Sequence, residues 1–277
     1  MDAGTLYVVA TPIGHLEDIT FRALRVLREV ALVAAEDTRR TSLLLRHFGI
    51  GTPLISLHEH NEGQKTENLL ARLRRGESIA VVSDAGTPAI SDPGAKLVAA
   101  ARTAGLPVVP VPGASAVMAA LSVSGLEDDA FCFLGFPPTK SKDRKTWLSK
   151  VSSAVDSSAV VFFEAPHRIL ATLEDLDTLA IDRLFLFREL TKLHESFYMG
   201  TPAEVSRQIS PVAGEFTGVI PRRVASPDTQ TRPTDAEIVA MLGQLPDRRG
   251  RAAARAIAER TGLSVNEVYA VIRGVRH

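Results

Sequence analysis

Covalent cross-links are missing from this chain. Cys132 is its only cysteine, so no internal disulfide forms, and a reducing, cytoplasmic setting is expected. Net charge is missing too. Lysine and arginine total 32, against 32 aspartate and glutamate. No global field therefore draws the molecule to nucleic acid or membrane, and any such attraction must come from local patches. No apolar run approaches the roughly 20 residues that span a bilayer. Met1-Asp2 leads into neither a basic segment nor an apolar one, so no secretory leader is expected. Thr11-Pro12-Ile13-Gly14 carries one glycine instead of the three of a dinucleotide fingerprint, which weakens a nicotinamide-binding reading. What remains is ordinary globular material. The 277 residues are 45% hydrophobic and 23% charged, enough for a sizeable core and about two domains.

One stretch organises the rest: Ser83-Asp84-Ala85-Gly86-Thr87-Pro88-Ala89-Ile90-Ser91-Asp92-Pro93-Gly94. It follows Ile79-Ala80-Val81-Val82, an apolar run of the kind buried parallel strands use. Asp92 reads as the cap, and Pro93 as the first residue, of a helix through 95–101. The loop thus leaves the carboxyl end of a strand, the rim where open α/β sheets bind ligands. Gly86 admits a close backbone approach there.

The first half repeats this β-α pattern. Strands are expected at 6–10, 32–35, 54–57 and 107–111, with helices at 19–30, 42–47, 65–75 and 95–104. Arg22, Arg25 and Arg28 line one face of the first helix and read as a solvated face. The strand at 32–35 runs into Glu36-Asp37-Thr38-Arg39-Arg40, which suits either a hydroxyl or phosphate site or an N-cap cluster. His58 and His60 fall on one side of an extended strand, but no third ligand follows at metal spacing, so no metal is expected. Pro112-Gly113-Ala114-Ser115-Ala116 opens a helix whose free N–H groups suit a ligand. Right-handed crossovers bring these loops to one edge.

After a joint near 122–130, strands are expected at 131–134, 159–163, 184–187 and 214–220, and three in succession end in mixed charge. The second runs into Glu164-Ala165-Pro166-His167-Arg168, with Pro166 placed to start the next helix, the third runs into Arg188-Glu189-Leu190-Thr191-Lys192, and Gly214-Glu215-Phe216 opens the last. A basic run carries Lys140, Lys142, Arg144 and Lys145, and Thr201-Pro202-Ala203-Glu204 is a capping box. Residues 222–233 read as a linker. Beyond it, 252–259, a turn at Thr261-Gly262-Leu263 and 264–269 have the form of a helix-turn-helix. Arg248, Arg249, Arg251, Arg255, Arg260, Arg273 and Arg276 make it basic. It either binds nucleic acid or packs as a helical hairpin.

These motifs, in this order, resemble the tetrapyrrole-methylase superfamily of S-adenosylmethionine enzymes. Within it the chain is similar to the ribosomal small subunit methyltransferase I family, which methylates the 2′-oxygen of a cytidine in small-subunit ribosomal RNA. The resemblance spans 5–220 and rests on the motifs quoted above together with His58-Glu59-His60-Asn61 and Gly135-Phe136. His15 departs from the family's usual Asn, and Phe163 from its usual Tyr; Phe163 loses a hydroxyl and is given no chemical role. The resemblance implies an α/β fold with an N-terminal domain at 1–118 and a second α/β domain at 119–221. The donor cleft lies between them, and after the linker comes a small helical extension at 234–277. It implies a homodimer, with ribosomal RNA or the small subunit as partner and no membrane. Pro12, Asp84, Gly86, Ala89, Ser115 and Ala116 would line S-adenosylmethionine from the first domain, and Phe163, Phe216 and Thr217 from the second. Arg39, Lys140, Arg144, His167, Arg168 and Lys192 would contact the RNA. Glu36, Asp37, Glu164 and Glu189 are unranked candidates for the catalytic base. The alternatives are a methyltransferase acting on a small tetrapyrrole and a nucleic-acid-binding regulator.

Overall fold

The computed structural model describes residues 2–58, 60–127, 130–223, 233–243, 245, 250–261 and 263–274. Glu59, two residues of the joint, most of the 222–233 linker, Gly262, Arg248, Arg249 and Arg276 lie outside them. The described residues contain no helix long and apolar enough to cross a membrane.

The first lobe is a parallel sheet covered on both faces by helices. Its order is β1 (Leu6–Val9), α1 (Phe21–Glu29), β2 (Leu32–Ala35), α2 (Thr38–His47), β3 (Leu54–Ser56), α3 (Glu62–Arg74), β4 (Ile79–Val82), α4 (Ala95–Thr103), β5 (Val108–Val111) and α5 (Ala116–Val123). The strands lie in the order β3-β2-β4-β1-β5, and every pairing is parallel. β2 and β4 are buried along their whole length, as their unbroken apolar runs require of a strand covered on both sides. Val9, Val26, Leu27, Val33 and Ala80 pack one face; Leu6, Ala34, Leu69, Leu73, Val81 and Leu97 pack the other. Because the strands are parallel, the loops after β1, β2, β4 and β5 share one edge.

The second lobe is a mixed sheet built from β6 (Phe131–Phe133), α6 (Ser141–Ala154), β7 (Ala159–Glu164), α7 (Ile169–Asp177), β8 (Leu184–Arg188), β9 (Ser196–Gly200), α8 (Pro202–Gln208) and β10 (Phe216–Ile220). Its order is β6-β7-β10-β8-β9. β10 runs antiparallel to both β7 and β8, and Phe216 sits in register with Glu164 on one side and Arg188 on the other. The charged ends of β7 and β8 and the start of β10 therefore meet on one edge. One face of the sheet packs on Trp147, Val151, Leu173 and Leu176. The other takes Val117 and Ala120 of α5 against Val161, Phe185, Phe187 and Val219, so the last helix of the first lobe is part of the second lobe's core. Met1–Arg222 is accordingly one compact unit.

Arg223–His277 is a second unit, with helices α9 (Asp235–Gly243), α10 (Gly250–Thr261) and α11 (Val265–Gly274). Ile238, Ala254, Ile257, Val268 and Ile272 form its own core. Capping interactions define two helix starts: Glu237 accepts from Thr234, and Glu267 accepts from Ser264.

Three expectations change. Asp92 does not cap α4. That helix starts at Ala95 after Gly94, whose φ of 113° is left-handed, and its cap comes from α3. Glu62, 4% exposed, accepts on Oε1 from the N–H groups of Gly94 (3.1 Å), Lys96 (2.9 Å) and Leu97 (3.1 Å). Pro166 does not start a helix either: the turn at 165–168 closes through the Arg168 N–H on the Ala165 carbonyl, and α7 begins at Ile169. Finally, β9 is an additional edge strand.

Candidate active site

The edges of the two sheets face a cavity of about 540 Å³, lined by Ile13, Glu36, Arg40, 84–87, 90–92, 115–117, Phe136, 163–167 and 215–217. Its volume lies in the range of small-molecule sites. The loop after β4 forms one wall. Gly86 exchanges both backbone hydrogen bonds with Thr11, at 2.9 and 3.0 Å, tying the β4 loop to the β1 loop. Its φ of 79° is left-handed, and a Cβ there would reach Ile13 Cγ2 at 3.3 Å. Ala89 and Ser91 also hold positive φ, at 67° and 62°. That is a costly conformation outside glycine, and it clusters at functional loops. Thr87 Oγ1 donates to the Ala114 carbonyl at 3.3 Å, joining this wall to the loop before α5. Ser115 caps α5 by accepting from the Met118 N–H at 3.5 Å.

Acids gather on the same wall. Asp84 Oδ1 accepts from the Asp37 N–H at 2.9 Å, while the Asp84 N–H donates to Glu36 Oε2 at 3.3 Å. Arg40 Nη1 pairs with Asp84 Oδ2 at 3.4 Å. Burial, with the neighbouring charges of Asp84 and Asp37, raises the Glu36 pKa against the Asp84 N–H and Arg40. Asp92 is pushed up to about 6 by burial first and the Glu36 charge next, with Ser83 acting the other way. The facing wall is aromatic. Phe163 stands edge-on to Phe133 and Phe136, at 4.9 and 5.5 Å between centroids.

The structure sorts the residues singled out in the sequence. Asp84, Gly86, Ser115, Ala116, Phe163, Phe216 and Thr217 line the cavity, as do Glu36, Glu164 and His167. Pro12 and Lys192 line an adjoining space of about 410 Å³ with Arg40, His47 and Leu43. Ala89 is absent from both linings; its N–H bonds the Pro93 carbonyl at 3.3 Å and shapes the loop. Asp37 caps α2 and pairs with the exposed Arg39 at 2.7 Å, which holds its carboxyl down at about 2. Glu164, 1% exposed, accepts from Thr172 Oγ1 at 2.5 Å and from the Ala165 N–H at 2.8 Å, with Arg168 Nε at 3.4 Å. Arg168 also donates to the Pro137 carbonyl, and Arg144 binds Asp175 and Thr172. Both guanidinium groups thus brace the second lobe. Glu189 accepts from Lys192 Nζ at 2.8 Å and from the Glu215 N–H at 2.9 Å. Burial raises its pKa, but these bonds outweigh it and the net shift is downward. Lys140 is exposed at the start of α6, outside both linings. Asp92, Arg40, Ile13 and Phe136 line the cavity without having been singled out as site residues.

Two α/β lobes with a cavity where their strand-end loops meet define the architecture of the tetrapyrrole methylases. Residues 5–206 match the tetrapyrrole (corrin/porphyrin) methylases, and the chain belongs to that family. It is 43% identical over 275 residues to the ribosomal RNA small subunit methyltransferase I of Escherichia coli O157:H7, covering 96% of this chain and 93% of that one. It is 45% identical over 277 residues to the protein of that name from Pseudomonas aeruginosa, covering 97% and 96%. Within the family, the chain therefore belongs to the ribosomal RNA small subunit methyltransferase I branch. The fold is shared with uroporphyrin-III C-methyltransferase from Thermus thermophilus, a structure complexed with S-adenosyl homocysteine (TM-score 0.56, 17% identity, 78% of this chain and 97% of that one). It is also shared with diphthine synthase (TM-score 0.63, 14% identity, 80% and 91%).

Proposed function

We propose that this chain transfers a methyl group from S-adenosylmethionine to the 2′-oxygen of a cytidine ribose in small-subunit ribosomal RNA, as a homodimer in the cytoplasm. The observation that carries the reading is the cavity between the lobes, in a chain whose relatives bear the ribosomal RNA methyltransferase name. Its chemistry fits the donor. Gly86 leaves a cradle that a Cβ would narrow against Ile13, Phe136 and Phe163 offer an apolar wall, and Glu36 and Asp84 offer negative charge to a cation. When bound, S-adenosylmethionine supplies a methyl group activated by a positively charged sulfonium.

The protein's share is positioning. Holding two reactants in line accounts for about 7–11 kcal/mol of barrier reduction, whereas a general base contributes about 10²–10⁴-fold. The paired loops after β1 and β4 and the capped start of α5 are built to hold a donor still. Of the four carboxylates proposed as base, Asp37, Glu164 and Glu189 are already engaged by side-chain partners. Glu36 faces the cavity carrying one backbone hydrogen bond. Lys192 and Arg40 in the adjoining space suit phosphate contacts, which set register without reading sequence.

Incubating the protein with labelled donor and small ribosomal subunits, duplex DNA or a tetrapyrrole separates the readings. Label in ribosomal RNA alone is expected. Label in the tetrapyrrole, or none anywhere with DNA bound, would overturn the proposal.

A further inference from the structure

We propose that Asp92 is the proton acceptor of the transfer. As the ribose hydroxyl oxygen bonds to the methyl carbon, its proton passes to an Asp92 carboxylate oxygen. The carbon–sulfur bond breaks, and its electron pair stays on the sulfur, leaving a neutral thioether. The inference rests on the methyltransferase reading above.

Four observations converge on Asp92. First, the role that its sequence position suggests is taken by another residue: Glu62 caps α4, so the Asp92 carboxylate is not held by the helix. Second, Asp92 lines the cavity, on the wall that carries Gly86 and faces the second lobe. Third, the chain turns left-handed at both Ala89 and Ser91 immediately before it, and this backbone path presents Asp92 at the cavity instead of continuing into a helix. Fourth, the cation on that wall, Arg40, pairs with Asp84.

The surroundings make Asp92 a usable base. Glu36 from the end of β2 and Asp84 from the end of β4 lie beside it. Arg40 on α2, Glu164 and His167 after β7, and Glu215 before β10 line the same cavity. Burial and the Glu36 charge bring the carboxyl up to about 6, so it is ionised at neutral pH yet far more basic than an ordinary aspartate. A base works best with a pKa near the operating pH. Glu36 then acts through Asp92, by keeping its affinity for a proton high.

Asp92→Asn keeps the size of the side chain and removes the base. With purified small subunits, kcat is expected to fall about 10²–10⁴-fold, while donor affinity by calorimetry stays within about threefold. The wild-type rate should rise with pH through about 6, and that limb should vanish in Asp92→Asn. In donor-free protein, carbon NMR of labelled aspartate carboxyls should show Asp92 titrating near 6. Glu36→Gln should lower that midpoint, because it removes a neighbouring negative charge; this variant keeps the inference testable should Asp92→Asn fold poorly. An Asp92 midpoint near 4, or a full rate or surviving acid limb in Asp92→Asn, would assign the proton elsewhere and overturn the inference. If wild type methylates no RNA, the functional reading itself fails. If wild type methylates and Asp92→Asn does so equally fast, only the inference fails.

Discussion

Glu62 is expected to hold the organising loop from behind, and its loss can be sized from the structure. The side chain is buried, and one carboxylate oxygen accepts three N–H groups at the start of α4. The Gly94 and Leu97 bonds are themselves buried. In Glu62→Ala these donors lose their acceptor, at about 1–3 kcal/mol for each one stranded. Loss of an ordinary helix cap costs about 0.5–2 kcal/mol. The end of α4 can relax toward water, so a total near 3 kcal/mol is expected, between one and two stranded donors. In a folded unit of this size each kcal/mol moves the melting midpoint by about 2–4 °C. Thermal unfolding of Glu62→Ala should therefore shift down by about 6–12 °C. Glu62→Gln, which keeps a carbonyl oxygen and loses only the charge, should shift by less than half as much. Hydrogen exchange adds a local readout: the Lys96 and Leu97 amides should lose protection before those of α7. A midpoint within about 2 °C of wild type for Glu62→Ala would refute the reasoning, since it would mean those N–H groups find other partners.

Other outcomes follow from single positions. Gly86→Val places a β-branched side chain at a φ of 79° against Ile13, so calorimetry should show donor binding abolished in a folded protein. Gly218→Ala drives a methyl into the ring of Phe162, with which it shares a register. Overpacking of that kind costs about 1–3 kcal/mol or more, readable as a lower urea midpoint. Asp92→Asn should stabilise the fold at pH 8 and not at pH 3. An aspartate whose folded pKa lies above its unfolded value is penalised once ionised, so its favourable contribution is lost as pH rises through about 6. Discounted for its solvent-exposed part, the gain at pH 8 should be about 1–2 kcal/mol by denaturant titration. Removing residues 232–277 should leave donor affinity intact and weaken RNA binding, with a shallower dependence on salt than the full chain shows.

Much of the first lobe was legible because parallel strands covered on both faces write themselves as apolar runs, as at 32–35 and 79–82. Their loops must then share an edge, so Asp84, Gly86 and Ser115 fall together from the sequence pattern alone. Two things stayed hidden. Glu62 lies more than 30 residues from the N–H groups it caps, and no local pattern links them. Asp92-Pro93 fits the usual pattern of a helix start. Gly94 just after it was the available signal that the helix begins later, and the left-handed turns at Ala89 and Ser91 could not be read from an alanine and a serine. The second lobe shows the same limit. Charged residues at strand ends look alike in sequence, yet Arg144 and Arg168 bond internally while His167 reaches the cavity. β9 is hard to see in the sequence because its alternating half-exposed residues form an edge, which carries a weaker signal than a buried strand.

The methylated product decides the function. Small-subunit ribosomal RNA from cells lacking this protein, incubated with the purified chain and S-adenosylmethionine, is digested to nucleosides and analysed by mass spectrometry. One new 2′-O-methylcytidine is expected, absent without enzyme and absent with Gly86→Val. A methyl group on a base, or ribosomal RNA left unmodified by a protein that binds the donor, would contradict the proposed function.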